Sequence, residues 1–143
     1  MLFEDSSLTL RVRPNDLDSL GHVNNATALE YLEAGRWAWL EKNHLRQGAA
    51  VIGLTMRVEV DYRKEISPQE VVVWTHLEAP EPAELDDMDA ADHYRVQFHQ
   101  RILIDSGRQV AVEAHVQAAF VRAADRSLCS LQEFLEAARI PKT

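Results

Sequence analysis

The stretch Asn15-Asp16-Leu17-Asp18-Ser19-Leu20-Gly21-His22-Val23-Asn24-Asn25-Ala26 is the most informative part of this 143-residue chain. It places two carboxylates, an imidazole and a pair of adjacent amides directly before an amphipathic pattern that continues to about His44. That pattern predicts a long helix with Asn24 or Asn25 as its cap. A helix N-terminus offers unpaired N–H groups to a developing oxyanion, and a carboxylate beside it can attack a carbonyl or activate water. The arrangement therefore points to acyl chemistry.

Alternating apolar residues on both sides of the helix predict strands. A short strand runs from Leu8 to Val12 and ends before Pro14, because proline cannot donate to a ladder. Four more strands are predicted after the helix, at residues 54–62, 71–77, 94–104 and 110–120. The strand at 71–77 is apolar without alternation over its first residues, so we expect both of its faces to be covered. Ser130 followed by Glu133 predicts a capping box and a short final helix through Arg139.

This order of elements predicts an α+β fold. The antiparallel sheet has a single long helix to bury, so we expect the helix to lie across the sheet. No internal repeat or linker divides the sequence, and we expect one domain over residues 1–143. A single sheet around one helix leaves edges and part of a face uncovered, which favours oligomerisation.

Composition narrows the classes of function. The net charge of −8 disfavours nucleic-acid binding, and the acidic excess between Glu78 and Asp92 is most simply a solvated loop. We see no apolar run of about 18 residues and no signal-peptide pattern, so we expect a cytoplasmic protein without membrane contact. The single Cys129 excludes an internal disulfide, and the scattered histidines form no metal-ligand pattern.

Four segments indicate a resemblance to a known family: Asp16-Leu17-Asp18, Gly21-His22-Val23-Asn24-Asn25-Ala26, Tyr31-Leu32-Glu33 and Arg36-Trp37. They are similar to the hot-dog-fold acyl thioesterases, most closely the 4-hydroxybenzoyl-CoA thioesterase-like group and the long-chain acyl-CoA thioesterases. The resemblance implies a curved antiparallel five-stranded sheet wrapped around one long central helix. It also implies hydrolysis of an acyl-CoA or acyl-carrier-protein thioester to a free acid and a thiol, without a metal or other cofactor.

The resemblance assigns catalytic roles to three residues of this chain. Asp18 lies where the family has its catalytic carboxylate, which acts as nucleophile or general base. The backbone N–H near Asn25 would polarise the thioester carbonyl. His22 matches a histidine that many members use to orient water or substrate.

The resemblance also implies which residues contact substrate. Tyr62-Arg63-Lys64 matches a strand end of the family, and its two cations are candidates for the phosphates of coenzyme A or of phosphopantetheine. Ala28 stands where many bacterial members have tyrosine, so the acyl pocket is expected to be wider or longer. Leu20 replaces an asparagine of the plant acyl-carrier-protein enzymes. The family's active site lies between subunits, which implies a homodimer or homotetramer.

Plainer roles remain open for the same residues. Asp18 can be a turn former, although its spacing to the glycine and histidine of the motif favours catalysis. Asp16 is more simply a turn stabiliser than half of a carboxylate pair. His22 can be a loop hydrogen-bonding residue, and Arg63 and Lys64 can be exposed charges at a strand end.

Two other functions fit the same fold. One is a dehydratase or hydratase acting on an acyl thioester, but Leu20 and His22 do not fit the motif of those enzymes. The other is a non-catalytic protein that binds acyl thioesters, because a fold does not guarantee an activity.

Overall fold

The computed structural model describes residues 3–45, 50–79 and 95–139. The elements are β1 Ser6–Arg11, α1 Asn25–Lys42, β2 Val51–Tyr62, β3 Glu70–Ala79, β4 Arg95–Ile104, β5 Gln109–Arg122, β6 Leu128–Cys129 and α2 Leu131–Ala138. Most of the acidic segment that is predicted to be a solvated loop lies outside the described residues. Within the described ranges, no helix is long and apolar enough to span a membrane.

The strands form one antiparallel sheet in the order β1-β3-β4-β5-β2, with β6 paired to β5. Helix α1 packs across one face of this sheet, mainly over β1 and β3. These features confirm the predicted α+β class and the helix lying across the sheet. The sixth strand was not predicted, because two residues are too few to show alternation.

The residues of the turn between β4 and β5 adopt the backbone angles that their sequence favours. Asp105 and Ser106 have φ angles of 55° and 56°, and Gly107 follows at 83°. Positive φ angles at successive turn residues suit the twist of a tight hairpin, and aspartate and glycine tolerate them best. The sequence Asp-Ser-Gly-Arg at 105–108 predicts a tight connection between the last two long strands, and the structure confirms it.

Helix α1 buries one face against the sheet. Its buried residues are Ala28, Tyr31, Leu32, Gly35 and Trp39. The helical spacing of Leu29 and Leu32 in the sequence predicts that both lie on the apolar face, but Leu29 is 40% exposed. Apolar spacing alone does not fix the rotation of a helix about its own axis. Here the helix turns Ala28 and Leu32 toward the sheet and leaves Leu29 partly exposed.

A polar layer crosses the middle of the core. The side chain of Gln100 is fully buried, and its Nε2 donates to the Leu32 carbonyl at 2.8 Å and to Thr75 Oγ1 at 2.9 Å. Arg36 Nη1 donates to Gln100 Oε1 at 3.0 Å. Apolar residues form two buried clusters, one toward the N-terminal half of α1 and one toward its C-terminal end. The layer separates these clusters and satisfies a buried amide, which would otherwise be costly.

The burial of β3 differs from the sequence expectation. Strand β3 is buried on one face only: Val71, Val73 and Leu77 are buried, whereas Trp74 and His76 on the other face are partly exposed. Helix α1 covers a single face of the sheet, so the expected cover on both faces of β3 is wrong. Strand β2 is an edge strand with a bulge, and most of its residues are exposed.

Replacing Gly35 with alanine is expected to lower the free energy of unfolding by about 1–3 kcal/mol. A Cβ at this position would lie 2.5 Å from Val73 Cγ1 and 3.0 Å from both Gln100 Nε2 and Thr75 Oγ1. This clash should outweigh the gain in helix propensity of about 1 kcal/mol. Urea unfolding measures the effect, with Glu33→Ala on the exposed side of α1 as control. A Gly35→Ala protein as stable as wild type would show that the helix does not need this close approach.

Candidate active site

The loop before α1 is anchored by a buried carboxylate. Asp16 ends a 3-10 turn over Pro14–Asp16 and is 5% exposed. Its Oδ2 accepts a hydrogen bond from the Tyr31 hydroxyl at 2.6 Å and from the Arg13 N–H at 2.9 Å. These bonds, led by that of Tyr31, hold the pKa of Asp16 below its ordinary value. Asp16 is therefore structural, which agrees with the plainer of its two predicted roles.

Asp18 lies in a tight loop and has one oxygen free of that loop. Its Oδ1 accepts from the N–H groups of Leu20 at 2.9 Å and His22 at 3.2 Å. Gly21 has a φ of 84°, a left-handed conformation that favours glycine. The Oδ2 of Asp18 has no hydrogen-bond partner among the described residues, and the side chain is exposed. Asp18 thus forms the turn with one oxygen and leaves the other available for chemistry.

The N-terminus of α1 lies next to this loop. Asn24 is the cap, and its Oδ1 accepts from the Ala26 N–H at 2.9 Å. Asn25 is the first helical residue, so its N–H has no partner within the helix. The carbonyl of Asn25 accepts from the Tyr62 hydroxyl at 3.0 Å. This contact joins the end of β2 to the start of the helix.

All seven site residues predicted from the sequence line one cleft, here called the first cleft. It encloses about 650 Å³, including space open to solvent. The complete lining is Asp18, Leu20, His22, Val23, Asn25, Ala28, Tyr62, Arg63, Lys64, Glu65, Ile66 and Val112. The loop before α1, the start of α1 and the end of β2 therefore meet at this cleft. The roles of the seven residues remain predictions.

Sequence reasoning did not single out Glu65 as a member of this cleft. The Nε2 of His22 lies 3.3 Å from Glu65 Oε2, and the His22 side chain is 31% exposed. A carboxylate at this distance can orient the imidazole. One feature of the sequence could have indicated that Glu65 belongs to the cleft, namely that it directly follows the predicted Arg63-Lys64 pair.

The two cations of the cleft already have partners. Arg63 Nη2 donates to Glu113, which also accepts from Arg101 and contacts His99. These hydrogen bonds, that of Arg101 first, lower the pKa of Glu113 to about 2. Lys64 Nζ donates to the neutral Gln109 side chain. An anion at the cleft mouth would therefore compete with a carboxylate for Arg63 but only with an amide for Lys64.

Residues in the described ranges include no group of three or more His, Cys, Asp or Glu side chains that could hold a metal ion.

A model of the thioesterase-like superfamily matches residues 12–141 of the chain. The chain belongs to the thioesterase-like superfamily. This match confirms the family that the motif resemblance indicated, and by family the chain is a thioester hydrolase. No curated protein matches the chain significantly by sequence.

Solved structures of similar proteins confirm the hot-dog fold. The PA2801 protein of Pseudomonas aeruginosa is 24% identical, with a TM-score of 0.72 and coverage of 92% of this chain and 95% of that chain. The 1,4-dihydroxy-2-naphthoyl-CoA thioesterase Slr0204 of Synechocystis is 14% identical, with a TM-score of 0.74 and coverage of 93% of each chain. A thioesterase of Thermus thermophilus, solved with coenzyme A and zinc, is 23% identical, with a TM-score of 0.65 and coverage of 91% of this chain and 93% of that chain.

Replacing Tyr31 with phenylalanine is expected to destabilise this thioesterase-like protein by about 2 kcal/mol near neutral pH. The change removes a hydrogen bond to a buried carboxylate whose pKa is lowered in the folded state. Stability from a lowered pKa is present above the ordinary pKa of 3.8 and is lost as the pH falls below it. The difference between wild type and variant should therefore shrink below about pH 4.

Thermal unfolding from pH 3 to pH 8 measures this effect. Tyr62→Phe is the matched control, because it removes a hydroxyl that donates to a neutral carbonyl in an exposed site. A Tyr31→Phe difference that does not change with pH would contradict the assignment to Asp16.

Proposed function

We propose that this protein hydrolyses acyl thioesters in the first cleft, with Asp18 as the catalytic carboxylate. The supporting observation is that two available groups lie in the same cleft. One is the free carboxylate oxygen of Asp18, and the other is the Asn25 N–H, which has no partner within the helix. Acyl transfer needs a base or nucleophile on one side of a carbonyl and hydrogen-bond donors at its oxygen. Both needs are met by groups that line the same cleft.

The reaction can be written with these groups alone. The thioester oxygen accepts from the Asn25 N–H, where the helix dipole also favours negative charge. Asp18 either removes a proton from a water molecule, which attacks the carbonyl carbon, or attacks that carbon itself. In both routes the tetrahedral intermediate collapses with cleavage of the C–S bond. In the first route the leaving thiolate takes up the proton held by Asp18. In the second route the thiolate takes a proton from solvent, and water opens the mixed anhydride to regenerate the Asp18 carboxylate. The products are a carboxylic acid and a thiol.

Other residues of the cleft support this chemistry. His22, held beside Glu65, is suited to orient the attacking water. Ala28 is buried in the cleft wall and leaves room beside the helix for an acyl group. Tyr62 bonds to the Asn25 carbonyl, so it fixes the helix end that polarises the substrate.

The thiol of the substrate is proposed to be coenzyme A or the phosphopantetheine of a carrier protein. Lys64 and Arg63 lie at the cleft and can bind phosphate groups of either carrier, with Lys64 the more available of the two. The Synechocystis relative is a CoA thioesterase and the Thermus relative was solved with coenzyme A, which supports this choice.

We further propose that the active form is a homodimer, or a homotetramer built from dimers, joined through β2. Strand β2 is an edge strand whose backbone can pair with a second chain. Its Met56 and Val58 are 63% and 38% exposed. A second copy would cover this apolar surface, and it would border the first cleft because Tyr62 ends β2.

Replacing Asp18 with asparagine is expected to lower kcat/KM by at least about 100-fold, the effect of removing a general base. Asparagine keeps the Oδ1 that accepts from Leu20 and His22, so the loop should be retained. The assay follows thiol release from a panel of short, medium, long and aromatic acyl-CoA esters and from an acyl-carrier-protein thioester.

The matched control is Asp61→Asn, which changes an exposed carboxylate of β2 that does not line the cleft. Wild type and control should release thiol at similar rates. Asp18→Asn activity within about threefold of wild type would refute the catalytic role of Asp18.

A further inference from the structure

A second cleft lies at the opposite end of α1 from the first. It is bounded by the C-terminal half of α1, the start of β2, the ends of β3 to β5, and α2. It encloses about 630 Å³, including space open to solvent. Its wall is largely apolar and aromatic, with Trp37, Trp39, Leu54, Phe98, Phe120 and Phe134 as its main members. Such a cleft suits the apolar part of a small ligand.

Arg36 is the one charged residue that lines the second cleft in the described part of the chain. The side chain is partly buried between helix and sheet, and burial lowers the pKa of its guanidinium. Its hydrogen bond goes to a neutral group, Gln100 Oε1. Among the described residues no carboxylate lies within ion-pair distance of Arg36, although the negative charge of the exposed Glu33, one turn earlier, favours the charged guanidinium from farther away.

A partly buried cation without a directly bonded counter-ion is unfavourable, because the hydration that it loses is only partly replaced. A guanidinium carries five N–H donors, and one bond to Gln100 leaves most of them available. A carboxylate matches the geometry of these donors and can accept two of them at once. The aromatic wall around Arg36 favours an attached apolar group over a small hydrophilic anion.

We propose that the second cleft binds an apolar carboxylic acid group, with its carboxylate on Arg36 and its apolar part against Trp37 and Phe98. Arg36 takes no part in the reaction derived above, and the second cleft shares no lining residue with the first. The binding claim therefore stands independently of the proposed thioesterase activity.

Two ligands share this chemistry. One is a free carboxylic acid with an apolar tail. The other is the far end of a substrate whose acyl group carries a second, terminal carboxylate. Both clefts are bordered by α1 and β2, and a rise of about 1.5 Å per residue puts roughly 16 Å between Asn25 and Arg36 along the helix. The length of a long, extended acyl group is comparable to this distance, and only this second assignment rests on the proposed function.

Binding is tested by titrating the full-length protein with dodecanoate and with dodecanol while following tryptophan fluorescence. Trp37 and Trp39 line the cleft and should report occupancy. We expect dodecanoate to bind at least about tenfold more tightly than dodecanol, the typical effect of a charge-assisted hydrogen bond. Arg36→Met should remove this preference, and Arg36→Lys should restore part of it. Arg11→Met is the control, because Arg11 is an exposed cation on β1.

Hydrolysis distinguishes the two ligands. Thiol release is measured for dodecanoyl-CoA and for the matched CoA ester with a carboxylate at the end of the same chain. At least about tenfold higher kcat/KM for the carboxylate ester, lost in Arg36→Met, would assign the cleft to the substrate. Equal hydrolysis of both esters, with dodecanoate binding that depends on Arg36, would assign it to a free acid.

The inference is overturned if dodecanoate and dodecanol bind alike and both esters react alike in wild type and Arg36→Met. Hydrolysis that still depends on Asp18 would then leave the proposed function intact. Conversely, dodecanoate binding that depends on Arg36, without thiol release from any ester, would support the inference and refute the proposed function.

Discussion

Helix α1 approaches the sheet closely at Gly35, where a methyl group would overlap Val73. At this point Gln100 is buried beneath the helix and bonds to the Leu32 carbonyl, to Thr75 and to Arg36. A buried amide is favourable only when its donors and acceptor are satisfied, so this polar layer specifies one position of the helix over the sheet. The position of both clefts follows from it, because each is bounded by an end of α1.

At its N-terminus, α1 is fixed by contacts that also shape the loop of the first cleft. The buried Asp16–Tyr31 bond ties the loop to the helix, and Asn24 caps the first turn. Asp18 then needs only one of its oxygens to hold its own loop. Asp16 and one oxygen of Asp18 therefore hold the loop in place. The other oxygen of Asp18 remains free beside a helix N-terminus, where it can take part in acyl chemistry.

Much of this arrangement was predictable, because local patterns encode it. Alternation predicted the main strands, and the Asn-Asn pair predicted the helix start, since these signals depend on neighbours in sequence. The resemblance brought in all seven site residues, which line one cleft. Burial of β3 on one face, the exposure of Leu29 and the contact of His22 with Glu65 were missed, because they depend on how distant elements pack. The position of Arg36 in a cleft lined by aromatic residues, without a directly bonded carboxylate, likewise depends on how the core packs.

The central claim is that the thioester carbonyl lies between Asp18 and the Asn25 N–H. It is tested most directly by a crystal structure with an acyl-CoA ketone analogue, in which a methylene group replaces the sulfur and blocks hydrolysis. The account predicts the carbonyl oxygen at about 3 Å from the Asn25 N and the Asp18 carboxylate beside the carbonyl carbon. A ketone bound away from the first cleft, with neither group in contact, would contradict it.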